Sequence, residues 1–339
     1  QISRCIALEA GKPLWEATGE ANALMARIDI MTGEGAAFTN DVYPEGLEGG
    51  HWRYRPLGVV AVLAPFNFPL HLANGHIIPA LLNGNTVVVK PSELTSGCME
   101  LYFQAAEEAG FPPGVMNLVH GPGAVGAALA EHKEVDAVLF TGSYDTGLRI
   151  KRATLEQSWK LLALEMGGKN TSIILEDADI EQAAQEIAFA AYMTAGQRCS
   201  ATSRVVVRSE VMADFIDRFV EVSKSITLGD TVSETCFMGP LADERAFKKY
   251  MNAQSETEGG NLECLLEGGR GRPDLNGYFA KPAIWKVKEL RANGAHQAEE
   301  IFGPDVVIYE TTCDPEASKI ANATDFGLAM SVFTADEER

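Results

Sequence analysis

Between residues 58 and 176 the chain alternates short, nearly continuous apolar runs with stretches of helical spacing, a rhythm few folds accommodate. The runs at 59–63, 86–89, 115–119, 137–140 and 161–164 are β-branched or Leu-rich. They lack polar alternation, the pattern of strands covered on both faces. Segments 95–109 and 123–133 between them carry helical spacing, and Pro112-Pro113-Gly114 punctuates. The fold class expected is therefore α/β, with a doubly wound parallel sheet. A long helix is expected over 180–194, leading straight to Cys199. A second αβ stretch follows, with a strand at 204–207, a helix at 212–226 and further elements up to Phe333.

A chain of 339 residues exceeds one comfortable core, so two domains are expected. Gly167-Gly168 interrupts the pattern and marks the division, giving a nucleotide-binding domain over 1–164 and a catalytic domain over 165–339. The polar, Gly- and aromatic-rich segment 42–57 reads as an exposed hairpin. The first nine residues read as the middle of an amphipathic helix, so residue 1 is expected to be a cut rather than a natural start. The other end, 331–337, stops just after a strand.

Charge excludes several classes of partner. With 28 Lys and Arg against 47 Asp and Glu, the formal charge is −19. Such a field repels phosphate backbones and anionic lipid, so neither nucleic acid nor membrane is an expected partner. An anionic substrate would need a local Arg or Lys. The six cysteines are scattered without a CxxC or a zinc-finger spacing. Neither a disulfide framework nor a metal site is expected, and a cytoplasmic location fits. No apolar run approaches the length needed to span a bilayer.

The chemistry centres on two residues. Cys199 stands in Thr194-Ala195-Gly196-Gln197-Arg198-Cys199-Ser200, beside a cation that favours the thiolate if it faces the sulfur. Glu165 ends an apolar strand and runs into Gly167-Gly168-Lys169, where a carboxylate is costly to desolvate without a purpose. A thiolate nucleophile and a carboxylate that takes a proton from water are the parts of acyl-thioester chemistry. Cys199 read instead as a small buried hydrophobe is the plainer alternative. Pro65-Phe66-Asn67-Phe68-Pro69 places an amide on a rigid apolar loop, suited to an oxyanion or simply to a turn.

Lys90 and Glu93 follow a strand, where open α/β sheets bind ligands. A carboxylate there could accept from ribose hydroxyls and would repel a 2′-phosphate, favouring NAD over NADP; the plainer alternative is a solvated strand terminus. Gly142-Ser143-Tyr144-Asp145-Thr146-Gly147 is a glycine turn that either holds a pyrophosphate or is a capped helix start with Ser143 or Asp145 at the cap. Gly121-Pro122-Gly123-Ala124-Val125-Gly126 matches a dinucleotide fingerprint, but its acidic partner on the next strand is missing.

Together and in this order, these segments resemble the aldehyde dehydrogenase superfamily across essentially the whole chain. The resemblance implies an Asn loop at 65–69, an adenosine-ribose site at Lys90 and Glu93, and a dinucleotide turn at Gly142 to Gly147. It implies Glu165 as general base and Cys199 as nucleophile. It also implies that Glu300-Ile301-Phe302-Gly303-Pro304 touches the nicotinamide ribose through Glu300 and Phe302, and that Gly121–Gly126 is chiefly structural. Residues 11–17, 74–81, 90–95, 162–169 and 194–199 are most similar to a semialdehyde dehydrogenase branch of the family.

The resemblance further implies that 42–57 is an oligomerisation hairpin whose partner strand lies beyond Phe333. A homo-oligomer is then expected of the full-length protein, and is in doubt for this stretch alone. The expected activity is NAD-dependent oxidation of a small-molecule semialdehyde to a carboxylate, with Arg198 as a contact for a substrate carboxylate. Two competitors stay open: a cofactor-independent thiol hydrolase pairing Cys199 with His71 or His76, and a non-catalytic nucleotide binder.

Overall fold

The structure, a computed structural model, describes residues 1–291, 293–336 and 338. Residues 292, 337 and 339 of the expected second domain lie outside the described residues. The chain divides into two compact units, residues 1–10 with 14–166 and residues 11–13 with 167–339.

In the first unit, β1 (Val59–Leu63), β2 (Thr86–Lys90), β3 (Met116–Leu118), β4 (Ala137–Thr141) and β5 (Leu161–Glu165) form a parallel sheet in the order β3-β2-β1-β4-β5. Alternate residues of one strand serve two cores. Val60 and Val62 pack with Ile6, Leu70, Ile77, Cys98 and Met99, which belong to or precede α1 (Ile2–Ala10), α3 (His71–Leu82) and α4 (Ser96–Glu108). Ala61 and Leu63 pack with Ala130 and Ile150, from α5 (Gly123–Glu131) and α6 (Tyr144–Ala153). A sheet covered on both faces is why its strands read as unbroken apolar runs.

Carboxylates on the first two helices cap later ones. Glu20, on α2 (Leu14–Ile30), accepts from the Leu70 and His71 N–H groups at 3.2 and 3.1 Å. Glu9 on α1 accepts from Gly97 and Cys98 at 3.0 and 2.8 Å. Each satisfies donors that a helix start otherwise leaves unpaired.

Residues 29–39 continue α2 into a π turn at Met31–Gly35. Thr32 Oγ1 donates to the Ile28 carbonyl at 2.9 Å, which satisfies an acceptor as the helix widens. Segment 42–57 is exposed but is no regular hairpin. Among the described residues its pairing is one bridge, with Val42 and Trp52 exchanging backbone hydrogen bonds of 3.1 Å. Gly46 and Gly49, at φ of 78° and 76°, turn the backbone away before a ladder extends.

In the second unit the sheet order is β13-β6-β7-β12-β11-β8. It comprises β6 (Asn170–Ile174), β7 (Thr202–Arg208), β8 (Leu262–Leu266), β11 (Ala283–Val287), β12 (Asp305–Thr311) and β13 (Met330–Phe333), with β8 alone antiparallel to its neighbour. A small antiparallel pair, β9 (Gly269–Arg270) with β10 (Ala280–Lys281), lies outside it. Val205 and Val207 face a core shared with α7 (Ile180–Tyr192), α8 (Met212–Lys224) and α9 (Glu244–Gln254). Val206 and Val307 face another with α11 (Asp314–Ala321). The short α10 (Ala295–Ala298) precedes the Glu300 stretch. No helix among the described residues is long and apolar enough to cross a membrane.

Candidate active site

Cys199 lies half-buried just after α7, on a loop built from strained backbone. Thr194, Ala195 and Gly196 take φ values of 55°, 55° and 72° in succession. Left-handed conformations cost of order 1–3 kcal/mol each at non-glycine positions, and persist where surroundings over-determine them. Here the Gln197 side chain supplies part of that constraint, donating to the Thr194 carbonyl at 3.0 Å and accepting from Ala242 N–H at 2.9 Å. Asn170, opening β6, donates to the Cys199 and Ala201 carbonyls at 2.7 and 2.9 Å. A Cβ on Gly196 would collide with the Gly303 carbonyl, so the loop and the 300–304 stretch approach backbone to backbone.

Burial pushes the Cys199 thiol above its ordinary pKa, and the nearby Glu300 adds to the rise. The Ser200 N–H, Arg198 and the residue's own N–H act in the opposite sense without cancelling it. Arg198 therefore favours the thiolate, as expected, without bringing the thiol below its ordinary pKa. Desolvation outweighs one half-exposed cation, whose Nη1 is directed at Met193 Sδ, 3.2 Å away.

The Glu300 carboxylate accepts from Gly168 N–H at 3.0 Å. Burial raises its pKa, against the pull of that hydrogen bond, Lys249 and Lys169. Phe302 follows with φ 59°, a bulky residue in left-handed backbone.

Behind this stretch lies a buried charge cluster. His296 Nδ1 donates to both Asp305 oxygens at 3.0 Å, and its Nε2 to the Ala253 carbonyl at 2.7 Å. Lys169 is buried with no hydrogen-bond partner for its Nζ. Burial lowers its pKa to about 8, opposed by Asp305 and Glu300.

The other candidates belong to the first unit and gather at the carboxyl ends of parallel strands. The strand order reverses direction at β1, which pairs with β2 on one side and β4 on the other. Such switch points are where open α/β sheets take ligands. After β1 comes Asn67, 4% exposed in a bend before α3. β2 ends in Lys90, buried, whose Nζ donates to the exposed Glu93 at 3.2 Å. β4 is followed by Gly142 and by Ser143, which caps α6 through its hydroxyl and the Thr146 N–H, with Tyr144, Asp145 and Thr146 exposed and Gly147 buried. That carries the capped-helix reading of the turn, and leaves the exposed helix start suited to a dinucleotide phosphate.

Glu165 ends β5, and its placement is a correction: it is exposed. The desolvation argument does not apply to it, because a strand's last residue at a sheet edge projects its polar group into water. His76 Nε2 meets Thr141 Oγ1 at 3.3 Å, and burial lowers its pKa. His71 packs edge-on against Phe68.

Sequence reasoning missed Asn170, Gln197, Lys169, His296 and Asp305. For Asn170 and Lys169 a signal was present, since both adjoin the Gly-Gly turn. For His296 and Asp305, nine residues apart, none was.

The chain belongs to the aldehyde dehydrogenase family, whose model, described as the aldehyde dehydrogenase family, matches residues 1–339. Among curated relatives it is 41% identical to the α-ketoglutaric semialdehyde dehydrogenase of Bacillus subtilis, over 98% of this chain and 69% of that protein. It is 39% identical to the N-succinylglutamate 5-semialdehyde dehydrogenase of Paraburkholderia xenovorans, over 99% of this chain and 69% of that protein. Among solved structures, the NAD-dependent aldehyde dehydrogenase from Sinorhizobium meliloti superposes with a TM-score of 0.93 at 32% identity, covering 99% of this chain and 67% of that one.

Proposed function

We propose that the chain oxidises N-succinyl-L-glutamate 5-semialdehyde to the corresponding carboxylate with NAD, a step in arginine catabolism. The observation that carries the reading is the Cys199 loop: a half-buried thiol on three successive left-handed residues, pinned by Asn170 and Gln197. Strain held in place by hydrogen bonds is characteristic of a positioned reactive group.

In this mechanism the Cys199 thiolate adds to the aldehyde carbonyl. The Asn67 amide and a backbone N–H near Cys199 hold the resulting oxyanion. When bound, the nicotinamide cofactor supplies the hydride acceptor that converts the adduct to an acyl thioester. Glu165 takes a proton from water, the hydroxide adds to the thioester, and the carboxylate leaves as the thiol is restored.

Lys90, Glu93 and the N–H groups at the start of α6 would hold the cofactor's adenosine ribose and diphosphate, with Glu300 and Phe302 at the nicotinamide ribose. The buried ammonium and exposed carboxylate at the end of β2 fit a ribose diol better than a 2′-phosphate. Arg198 is the cation assigned to a substrate carboxylate.

The competing substrate is α-ketoglutaric semialdehyde, on the strength of the 41% identical relative. We further read 42–57, with Tyr43, Leu47, Trp52, Tyr54 and Leu57 exposed, as a contact between copies. Light scattering on the full-length protein with Trp52→Ser tests that contact.

The activity test is a panel of semialdehydes with NAD and NADP in parallel, following both nucleotide binding and NADH release. Preference for succinylglutamate semialdehyde with NAD is expected. A Cys199→Ala variant that still produces NADH would overturn the mechanism. Nucleotide binding without turnover in the unsubstituted chain would overturn the catalytic reading, and ester hydrolysis indifferent to NAD would favour a thiol hydrolase.

A further inference from the structure

Away from the candidate active site, α1 and the start of α4 bring two cysteines together in the first unit. Cys98 Sγ lies 3.6 Å from Cys5 Sγ, although 93 positions separate them in the chain. Both are free thiols; Cys98 is fully buried in the apolar core and Cys5 is half-buried at its edge. The helices that carry them are tied by Glu9, whose two carboxylate oxygens accept from the Gly97 and Cys98 N–H groups at 3.0 and 2.8 Å. The three side chains form a tight group, with their sulfur and oxygen atoms all within 4.8 Å of one another.

We propose that Cys5 and Cys98 are a redox-active pair that closes to a disulfide on exposure to a hydroperoxide. A disulfide needs the sulfurs at about 2.05 Å, so rotation of the two side chains has to close about 1.6 Å. The accessible partner reacts first. The Cys5 thiolate attacks the peroxide O–O bond, forming Cys5–SOH and releasing the alcohol, or water from hydrogen peroxide. Cys98 sulfur then attacks the Cys5 sulfur, the S–O bond breaks, and the hydroxide leaves as water with the Cys98 thiol proton. Two thiols are oxidised by two electrons and one peroxide is reduced.

Burial holds both thiols above their ordinary pKa, Cys98 much the further. The pair therefore rests reduced and reacts more slowly than an exposed thiolate. A metal ion is the less favoured occupant, because both Glu9 oxygens are already committed to the α4 backbone. The consequence of closure is a cross-link spanning α1, the sheet's first two strands and α4. It constrains the unfolded chain and raises stability without adding a native contact.

The test is peptide mapping of the native protein after hydrogen peroxide, alkylation and digestion without reductant. The expected result is a linked peptide pair containing Cys5 and Cys98, lighter by two hydrogens, with a higher melting temperature that dithiothreitol reverses. Cys5→Ser should abolish both the link and the shift. Should Cys98→Ser fail to fold, Cys98→Ala fills the buried site and serves the same purpose. Peroxide that oxidises other thiols and leaves Cys5 and Cys98 separately alkylatable would overturn the proposal. So would a stoichiometric zinc ion, detected by elemental analysis, that shields both thiols until chelated.

Discussion

The Glu300 carboxylate is seated on the Gly168 N–H at 3.0 Å, and a side chain on the preceding Gly167 would occupy the same space as that carboxylate. On its other side, a Cβ on Gly168 would come within 2.5 Å of the Cys199 carbonyl oxygen. The glycine pair thus lets the Glu300 carboxylate and the Cys199 loop approach one stretch of backbone from two directions.

The two glycines should respond unequally to alanine. Gly167→Ala meets a side-chain carboxylate that can swing away, whereas Gly168→Ala meets backbone that cannot. Gly168→Ala should therefore cost more stability, of the order of 1–3 kcal/mol for overpacking. Denaturant unfolding of both variants checks this, and equal losses would contradict it.

Glu165→Gln separates the two halves of the proposed reaction. Thiol addition and hydride loss need no base at Glu165, whereas thioester hydrolysis does. A rapid NADH burst near one equivalent per site should survive, followed by turnover slowed about 10²–10⁴-fold. Stopped-flow absorbance reads both phases; turnover undiminished in the variant would remove Glu165 from the hydrolytic step, and loss of the burst would place it in an earlier one.

The thiol at Cys199 should become more acidic in Glu300→Gln. Burial is the largest cause of its raised pKa, and the Glu300 charge adds to it. The reactive form is the thiolate, so removing a negative neighbour moves the acid limb of reactivity to lower pH. Iodoacetamide alkylation of Cys199 across pH 6–10 measures the limb, and a shift to higher pH would reverse the assigned sign.

The His296–Asp305 pair should tie stability to pH. Burial opposes charge on His296, but Asp305, the hydrogen bonds to it and the Ala253 carbonyl outweigh burial and raise the pKa. A raised folded-state pKa means the contribution is complete below about 6.5, the unfolded value, and fades as pH rises through the folded one. His296→Gln removes the imidazolium hydrogen bonds from Asp305, which keeps the Gln254 amide at 2.8 Å and the charge of Lys169, and a loss of about 1.5–3 kcal/mol is expected near pH 6, shrinking at alkaline pH. Denaturation midpoints at pH 6 and pH 9 test the sign. Lys169, with its pKa lowered to about 8, works oppositely, its burial cost easing between pH 8 and 10.5.

The first unit's sheet was legible because its inner strands β1, β2 and β4 are covered on both faces, and a continuous apolar run has few other uses. Its strands run at 59–63, 86–90 and 137–141, within a residue of the periodicity. The π turn after Ile30 has no counterpart in the sequence pattern, because a five-residue widening leaves no periodicity of its own. Segment 42–57 suggested a ladder from its aromatics, yet two glycines with positive φ limited it to one bridge.

The residues of the candidate site divide in the same way. Cys199, Glu165, Asn67, Lys90, Glu93 and Glu300 stand at element boundaries, and a polar or nucleophilic residue beside an apolar run is visible in one dimension. What the sequence by itself determined is this inventory of chemistry at strand ends and turns, together with the α/β alternation that orders it, because burial on both faces and backbone punctuation are local. Only the tertiary structure decided that Glu300 rests on Gly168, that His296 finds Asp305, that burial overrides Arg198 at Cys199, and that Cys5 meets Cys98. Each depends on distance and desolvation between groups far apart or differently buried, and neither is a property of neighbours along the chain.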